Sequence, residues 1–232
     1  MSWMIRHSLI LILLLAAVLT GIWLFSQRKR LGIGPLWVTA LSVLHVIVGV
    51  LCVKLFAALE QLSLSGFRNM SLFGAIFFLP GFYWIGAKCS GRKRTDIFDV
   101  FTVPTVLTLA CARVNCLITG CCGGRPIPGT SYRWPTREAE LVFYGLLLIW
   151  LIYRTRKKET DGILWPAYMT AYGAFRFINE FFRESETGSL FHLSHLWAIL
   201  SLLIGLSVLL EQNRRKSAQP NHANFVHRRK HK

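Results

Sequence analysis

Arg176 and Glu180 stand one helical turn apart inside an apolar stretch that begins near Ile163 and ends at Phe182. At 3.6 residues per turn, Tyr172, Arg176, Asn179, Glu180 and Arg183 share one stripe, while Phe175, Phe177, Phe181 and Phe182 spread around the rest. A charged side chain near the centre of a bilayer costs roughly 2.5–3.5 kcal/mol on insertion scales, so the pair requires a compensating role. Two roles meet that requirement. One is a structural ion pair holding helices together; the other is a polar cavity inside a helix bundle that receives an anionic lipid headgroup.

A second chemically loaded stretch covers residues 113–125, where Arg113, Asn115, Cys116, Gly120, Cys121, Cys122, Gly123, Gly124 and Arg125 close an apolar segment and open a glycine-rich loop. The guanidinium of Arg113 is permanently charged and offers a planar fork of donors suited to phosphate oxygens. The glycines let the backbone approach a ligand and turn its N–H groups toward an anion. The cysteines admit several readings. A zinc centre wants ligand pairs at C-x2–4-C spacing, which adjacent Cys121 and Cys122 do not supply, so no metal is expected. A disulfide on an oxidising face, small thiols packed between helices, and a nucleophilic thiol all stay open. Arg137 and Glu140 open the next apolar segment, and His192 and His195 open the last one. Together with Arg113, Arg125, Glu180 and Arg183 they make a polar rim supplied by several segments.

Elsewhere, polar residues in apolar runs have plainer readings. His45 reads as a packing histidine and Lys54 as a side chain reaching for the interface. Gly74 and Ala75 permit close helix approach. Asp99 reads as a cap where its own helix starts, and Pro104 as a kink in that helix.

The elements that must position these groups are membrane helices. A 232-residue chain that is 53% hydrophobic is too apolar for an ordinary soluble domain. Seven runs approach the ~20 residues needed to cross a hydrocarbon core: 8–25, 36–59, 72–87, 97–119, 141–153, 163–182 and 193–210. The expected fold is therefore all-α, a polytopic bundle of about seven transmembrane helices formed by residues 1–212. A basic tail, 213–232, is read as disordered and solvated. The first run imitates a signal peptide but is long, lacks a small-residue cleavage site and stops at Arg28, Lys29 and Arg30, so it is read as a retained helix.

Of the 27 Lys and Arg residues, eighteen follow the odd-numbered runs, six follow the even-numbered runs or precede the first, and Lys54, Arg113 and Arg176 lie inside runs. The positive-inside rule then places the N-terminus outside and the C-terminus in the cytoplasm. The net charge of +16 is a topology signal and an attraction to anionic lipid, and no nucleic-acid partner is implied.

Against this background the motifs resemble those of the prolipoprotein diacylglyceryl transferase family. Tyr172-Gly173-Ala174-Phe175-Arg176 followed by Glu180-Phe181-Phe182-Arg183 is similar to its late signature. The stretch from Arg113 to Arg125 is similar to its central G-R-x-G-N-F-x-N-G-E signature, and Asp99-Val100-Phe101-Thr102-Val103-Pro104 to the residues before that. Asn69-Met70-Ser71-Leu72-Phe73-Gly74-Ala75 resembles the family's S-F-H-G-G turn, Ala139-Glu140-Leu141 its S-Q-L, and Ser194-His195-Leu196 its G-Q-I.

The resemblance implies a multi-pass enzyme of the bacterial inner membrane, monomeric and without metal or other cofactor. It would move the diacylglyceryl group of phosphatidylglycerol to the lipobox cysteine of a lipoprotein precursor, forming a thioether and releasing glycerol phosphate. Arg113 and Arg176 would hold the phosphate, Glu180 would orient Arg176, and Tyr172, Asn115, Gly120, Arg125, Glu140 and Arg183 would bind substrate.

The chain also departs from the pattern. The family's His is Phe73 and its second Gly is Ala75. Within the central signature, Gly-Asn is Asn115-Cys116, the second Asn is Thr119 and the Glu is Cys121, while the Gln of S-Q-L is Glu140. With that His absent, His195 is the candidate base by segment order, and Cys116, Cys121 and Cys122 are candidates for a thiol role. Two other classes of function fit less of the sequence: an idle phospholipid-binding paralogue, and a small transporter, against which the lack of internal repeats argues.

Overall fold

The structure, a computed structural model, describes residues 2–157, 162–184 and 191–218; Lys158 and residues 219–232 of the basic tail lie outside them. Among the described residues every regular element is helical: α1 (Ser2–Leu31), α2 (Pro35–Glu60), a 3-10 turn (Leu64–Arg68), α3 (Phe73–Phe77), α4 (Leu79–Ser90), α5 (Arg94–Thr119), α6 (Thr136–Arg156), α7 (Leu164–Glu180) and α8 (Leu193–Ala218). Four stretches have the length and apolarity of a membrane crossing: His7–Leu31, Pro35–Glu60, Arg94–Thr119 and Leu193–Ser217. The third apolar run, expected as one helix, is broken at Phe78 into α3 and α4. Pro80 explains the break, because it has no N–H for the Ile76 carbonyl and its ring collides with the preceding turn. The last helix continues to Ala218, six residues into the stretch assigned to the tail.

The bundle is inverted relative to a water-soluble protein. Leu14, Ile22, Ile47, Leu146 and Leu203 are largely exposed, while Asp99, Glu140, Arg113 and Arg176 are buried. Lipid solvates the first set as well as a protein core would, whereas the second set has to be satisfied internally. This is the surface of a protein embedded in a membrane.

Two devices set the helix packing that the charged residues depend on. Pro104 lies inside α5 and cannot bond the carbonyl of Val100; the indole N–H of Trp23 on α1 donates to that carbonyl instead, at 2.9 Å. Gly173 lets α7 cross α8 closely, since a Cβ there would come within 2.5 Å of the Leu202 amide nitrogen.

Asp99 differs from its expected role. The helix begins at Arg94, so Asp99 is a turn inside it and fully buried. Its carboxylate accepts from the Gly162 and Leu164 N–H groups, at 2.8 and 3.1 Å, and therefore caps α7 rather than its own helix. His45 is buried in another polar cluster, with Nδ1 3.2 Å from the Tyr83 hydroxyl, which is 2.9 Å from Thr105 Oγ1. That pair lies on a cavity of about 660 Å³ between the α1–α2 turn, α4 and α5. Lys54 donates to the Phe67 carbonyl at 2.8 Å and ties down the 3-10 turn.

Candidate functional site

Arg113 and Arg176, on α5 and α7, converge on one carboxylate. Glu140 of α6 is 2% exposed and forms ion pairs with Arg113 through Oε2 and with Arg176 through Oε1, the latter at 2.5 Å. Asn179 donates to the same Oε1 at 3.1 Å and to the Thr136 carbonyl at 3.4 Å. Arg176 also pairs with Glu180 across one turn, at 2.9 Å, and Arg183 reaches Glu180 at 3.7 Å. Arg176, Asn179, Glu180 and Arg183 of the stripe read from 3.6-residue spacing are thus joined in one network. Each of its buried charges has a partner, as a low-dielectric interior demands.

Apolar and aromatic groups close the other side. Phe73, 3% exposed, lies 5.9 Å below the Arg176 guanidinium and meets the Tyr172 ring edge-on at 5.7 Å. The position where the resemblance places a histidine is therefore next to the arginine pair, and here it holds a ring with no proton to exchange. Tyr172 stacks on Tyr144 and contacts Tyr168; the Tyr168 and Tyr172 hydroxyls are buried with no hydrogen-bond partner among the described residues.

Glu60 belongs to this neighbourhood, and the sequence reading missed it. It ends α2, is half-buried, faces Ser71 and Trp197, and lies in the field of Arg176 and Glu180. The only signal in the sequence is a lone carboxylate at the end of a long apolar run, which an interfacial residue would give equally well. Glu60 is thus a third carboxylate in the field of Arg176, beside Glu140 and Glu180.

The rim residues divide into those joined to the network and those turned elsewhere. Gly120 ends α5 in the left-handed region, at φ 74°. Beyond it the loop pairs with the end of α7: the Arg125 amide donates to the Phe182 carbonyl at 2.9 Å and the Glu184 amide to the Gly123 carbonyl at 3.2 Å. Gly124 has no room for a side chain, since a Cβ would fall 2.1 Å from the Trp134 carbonyl oxygen. The loop thereby binds the C-terminal ends of α5 and α7 to the N-terminal end of α6, and Arg125 contributes to this through its backbone. Asn115 turns the other way and accepts a hydrogen bond from Ser8 of α1, at 2.8 Å.

His195 is 2% exposed and surrounded by the rings of Phe177, Phe181 and Phe191. Its Nδ1 accepts the His192 N–H at 3.1 Å, so the neutral ring carries its proton on Nε2, which has no partner among the described residues. In this tautomer the ring offers a donor, not the open lone pair that a base needs.

Three of the six cysteines are gathered at the C-terminal end of α5. Cys116, Cys121 and Cys122 are free thiols, and their sulfurs all lie within 4.8 Å of one another. Arg113 Nη1 is 3.8 Å from Cys116 Sγ, and the Thr119 hydroxyl donates to Cys121 at 3.3 Å. In the loop, the hydrogen bond from the Cys116 thiol, aided by the Arg183 and Arg113 guanidiniums, holds Cys122 down to about 5 against the upward push of burial. Adjacency of Cys121 and Cys122 had argued against a shared centre; the turn at Gly120 nevertheless brings all three sulfurs together.

Two guanidiniums braced by a shared carboxylate in a buried site have the donors to hold a phosphate ester and stabilise charge on a departing phosphate oxygen. Comparisons with known proteins agree with that chemistry. Residues 9–211 match the family model described as prolipoprotein diacylglyceryl transferase. The chain is 26% identical over 220 residues to a phosphatidylglycerol–prolipoprotein diacylglyceryl transferase of Clostridium tetani, covering 82% of this chain and 87% of that one. It is 26% identical over 228 residues to the protein of that name from Dehalococcoides mccartyi, covering 86% of each. With the Polaromonas naphthalenivorans protein of that name the identity is 32% over 133 residues, 51% of this chain and 49% of the other. A match over residues 9–211, nearly the whole bundle, makes this chain a member of the prolipoprotein diacylglyceryl transferase family.

Proposed function

We propose that this chain transfers the diacylglyceryl group of phosphatidylglycerol to a cysteine thiol of a lipoprotein precursor, from within a bacterial inner membrane. The observation that carries the reading is the convergence of Arg113 and Arg176, from different helices, on Glu140 beside Phe73 and Tyr172. In this reading the two guanidiniums hold the phosphate diester, and their grip tightens as the leaving oxygen gains charge. Glu140 and Glu180 fix the angle of the forks, so little reorganisation is needed when the lipid arrives. The Tyr172 hydroxyl, buried and unpartnered, supplies a further donor for the headgroup. Arg183 and the loop from Gly120 to Arg125 guard the outer mouth. The acceptor sulfur attacks the glyceryl carbon; the C–S bond forms, the C–O bond breaks, and glycerol phosphate leaves. Proximity of thiol and bound lipid supplies much of the acceleration.

The topology proposed with this function has seven crossings, the broken α3–α4 unit counting as one, with the N-terminus outside, and a monomer as the working unit. Two sets of contacts support it. The ends assigned to the cytoplasm meet one another: Arg30 pairs with Asp96 at 2.7 Å and Arg92 donates to the Gly32 carbonyl at 3.1 Å. The ends assigned outside also meet, through the pairing of residues 123–125 with residues 182–184.

A second reading is favoured by Phe73 and by the occupied Nδ1 of His195: a paralogue that binds phospholipid without transferring it. One assay separates the two. Purified protein is incubated with phosphatidylglycerol labelled in its acyl chains and a lipobox peptide, and the peptide is weighed by mass spectrometry; complementation of a strain lacking the family enzyme gives the same answer in cells. A peptide heavier by one diacylglyceryl group supports transfer, and labelled lipid retained with no modified peptide supports the binder.

A further inference from the structure

The thiols of Cys116, Cys121 and Cys122 are given no role in holding the phosphate, although Cys116 touches Arg113, and the backbone is bent to gather them. The last turn of α5 presents Cys116, Gly120 ends the helix in a left-handed turn, and Cys122 itself takes up φ 57°. A left-handed conformation costs a residue with a Cβ about 1–2 kcal/mol, and here it turns the third sulfur back toward the other two. Sulfurs around a tetrahedral zinc are roughly 3.8 Å apart, from a Zn–S length of about 2.3 Å. The observed limit of 4.8 Å is therefore within a small side-chain adjustment of a three-thiolate centre.

Charge and access point the same way. Zinc with three thiolates carries one net negative charge, and Arg113 already stands 3.8 Å from Cys116 Sγ. Cys121 and Cys122 are exposed, so one side of the triangle of sulfurs is open. Three protein ligands with an open fourth position is the arrangement of a reactive zinc site rather than a structural one.

We propose that Cys116, Cys121 and Cys122 hold a zinc ion, and that the acceptor thiol binds at its fourth position as a thiolate. This rests on the transferase reading and supplies what that reading lacks. Phe73 cannot take up a proton, and His195 presents a donor. A thiol on zinc is deprotonated outright, so no side chain has to serve as its base. The acceptor S–H releases its proton to solvent on binding. Its sulfur then forms the C–S bond to the glyceryl carbon while the C–O bond breaks, and the electron pair leaves on the phosphate oxygen held by Arg113 and Arg176. Nothing is oxidised or reduced, and the thioether product, a poorer ligand than a thiolate, leaves the metal.

The test uses the full chain in detergent, reduced and stripped of metal. Titration with zinc is expected to give one ion per chain by elemental mass spectrometry. Cys116→Ser, Cys121→Ser and Cys122→Ser should each weaken uptake at least about tenfold. Cobalt in place of zinc should show a thiolate-to-metal charge-transfer band that shifts with a cysteine-containing lipobox peptide and not with its serine counterpart. Failure of the reduced parent protein to take up zinc overturns the site, without recourse to any variant. So does uptake that survives all three serine changes, or a disulfide among the three thiols in protein taken directly from membranes. A band indifferent to the cysteine peptide overturns the acceptor role alone. Transfer that persists under chelation removes the zinc proposal and leaves the transferase reading intact. Zinc bound with no transfer to any acceptor does the reverse.

Discussion

At the scale of single residues, Arg176 does two things that only its shape allows. Its fork bridges Glu140 and Glu180, at 2.5 and 2.9 Å, while its face rests over Phe73. Arg176→Lys keeps the charge and loses the bridge, so transfer should fall by roughly 100-fold, the usual cost of one oriented donor. The yield of membrane-inserted protein should stay near normal. A turnover within threefold of the parent, by peptide mass shift, would refute the role given to this side chain. Arg176→Ala is a harsher change, because it strands two buried carboxylates; it should cost about 3–5 kcal/mol of stability as well as activity. Phe73→Leu removes the ring beneath the guanidinium and the edge contact with Tyr172, and should lower stability by about 1–3 kcal/mol in detergent unfolding. The pairing of Arg176 with Glu180 was legible in the sequence from spacing alone. The capture of Glu140 by both arginines was not, because a carboxylate at the start of an apolar run looks the same whether it meets substrate or a neighbouring helix.

At the scale of elements, the helices are held in register by side chains that repair each other's backbones. The Val100 carbonyl, left bare by Pro104, takes the Trp23 indole. Trp23→Phe should therefore cost about 1–3 kcal/mol, the penalty of an orphaned buried acceptor. With Pro104→Ala already in place the penalty should shrink, since the new amide serves Val100 itself. Additive losses in this double-mutant cycle would dismiss the account. Asp99 is the corresponding device for α7. Asp99→Asn keeps an acceptor but removes the charge that holds the Gly162 and Leu164 amides. Hydrogen exchange at those two amides should quicken well before exchange in the middle of α7 changes, and uniform protection would contradict the cap. Both devices join residues more than sixty positions apart, and for that reason the sequence showed a proline and an aspartate but not their partners.

At the scale of the whole molecule, the orientation proposed from positive charges predicts where reporters work. Alkaline phosphatase fused at Gly129 should be active and the same enzyme at Ala218 silent, with the opposite result for a fluorescent protein that matures only in the cytoplasm. The reverse pattern would invert the bundle and put the thiol cluster on the wrong face for a secreted acceptor. What the sequence determined by itself was the helical class, the apolar runs, the alternation of basic loops and the charged stripe of α7. Those follow from local chemistry: twenty apolar residues, a period of 3.6 and the cost of a buried charge are properties of a segment on its own. What only the tertiary structure decided was which distant groups meet. Glu140 met both arginines, Asp99 capped another helix, Glu60 came into the field of Arg176 and three cysteines came within reach of one another. Those outcomes depend on how helices cross, and a crossing is set by the proline, glycine and indole contacts between segments rather than by the residues of either segment alone.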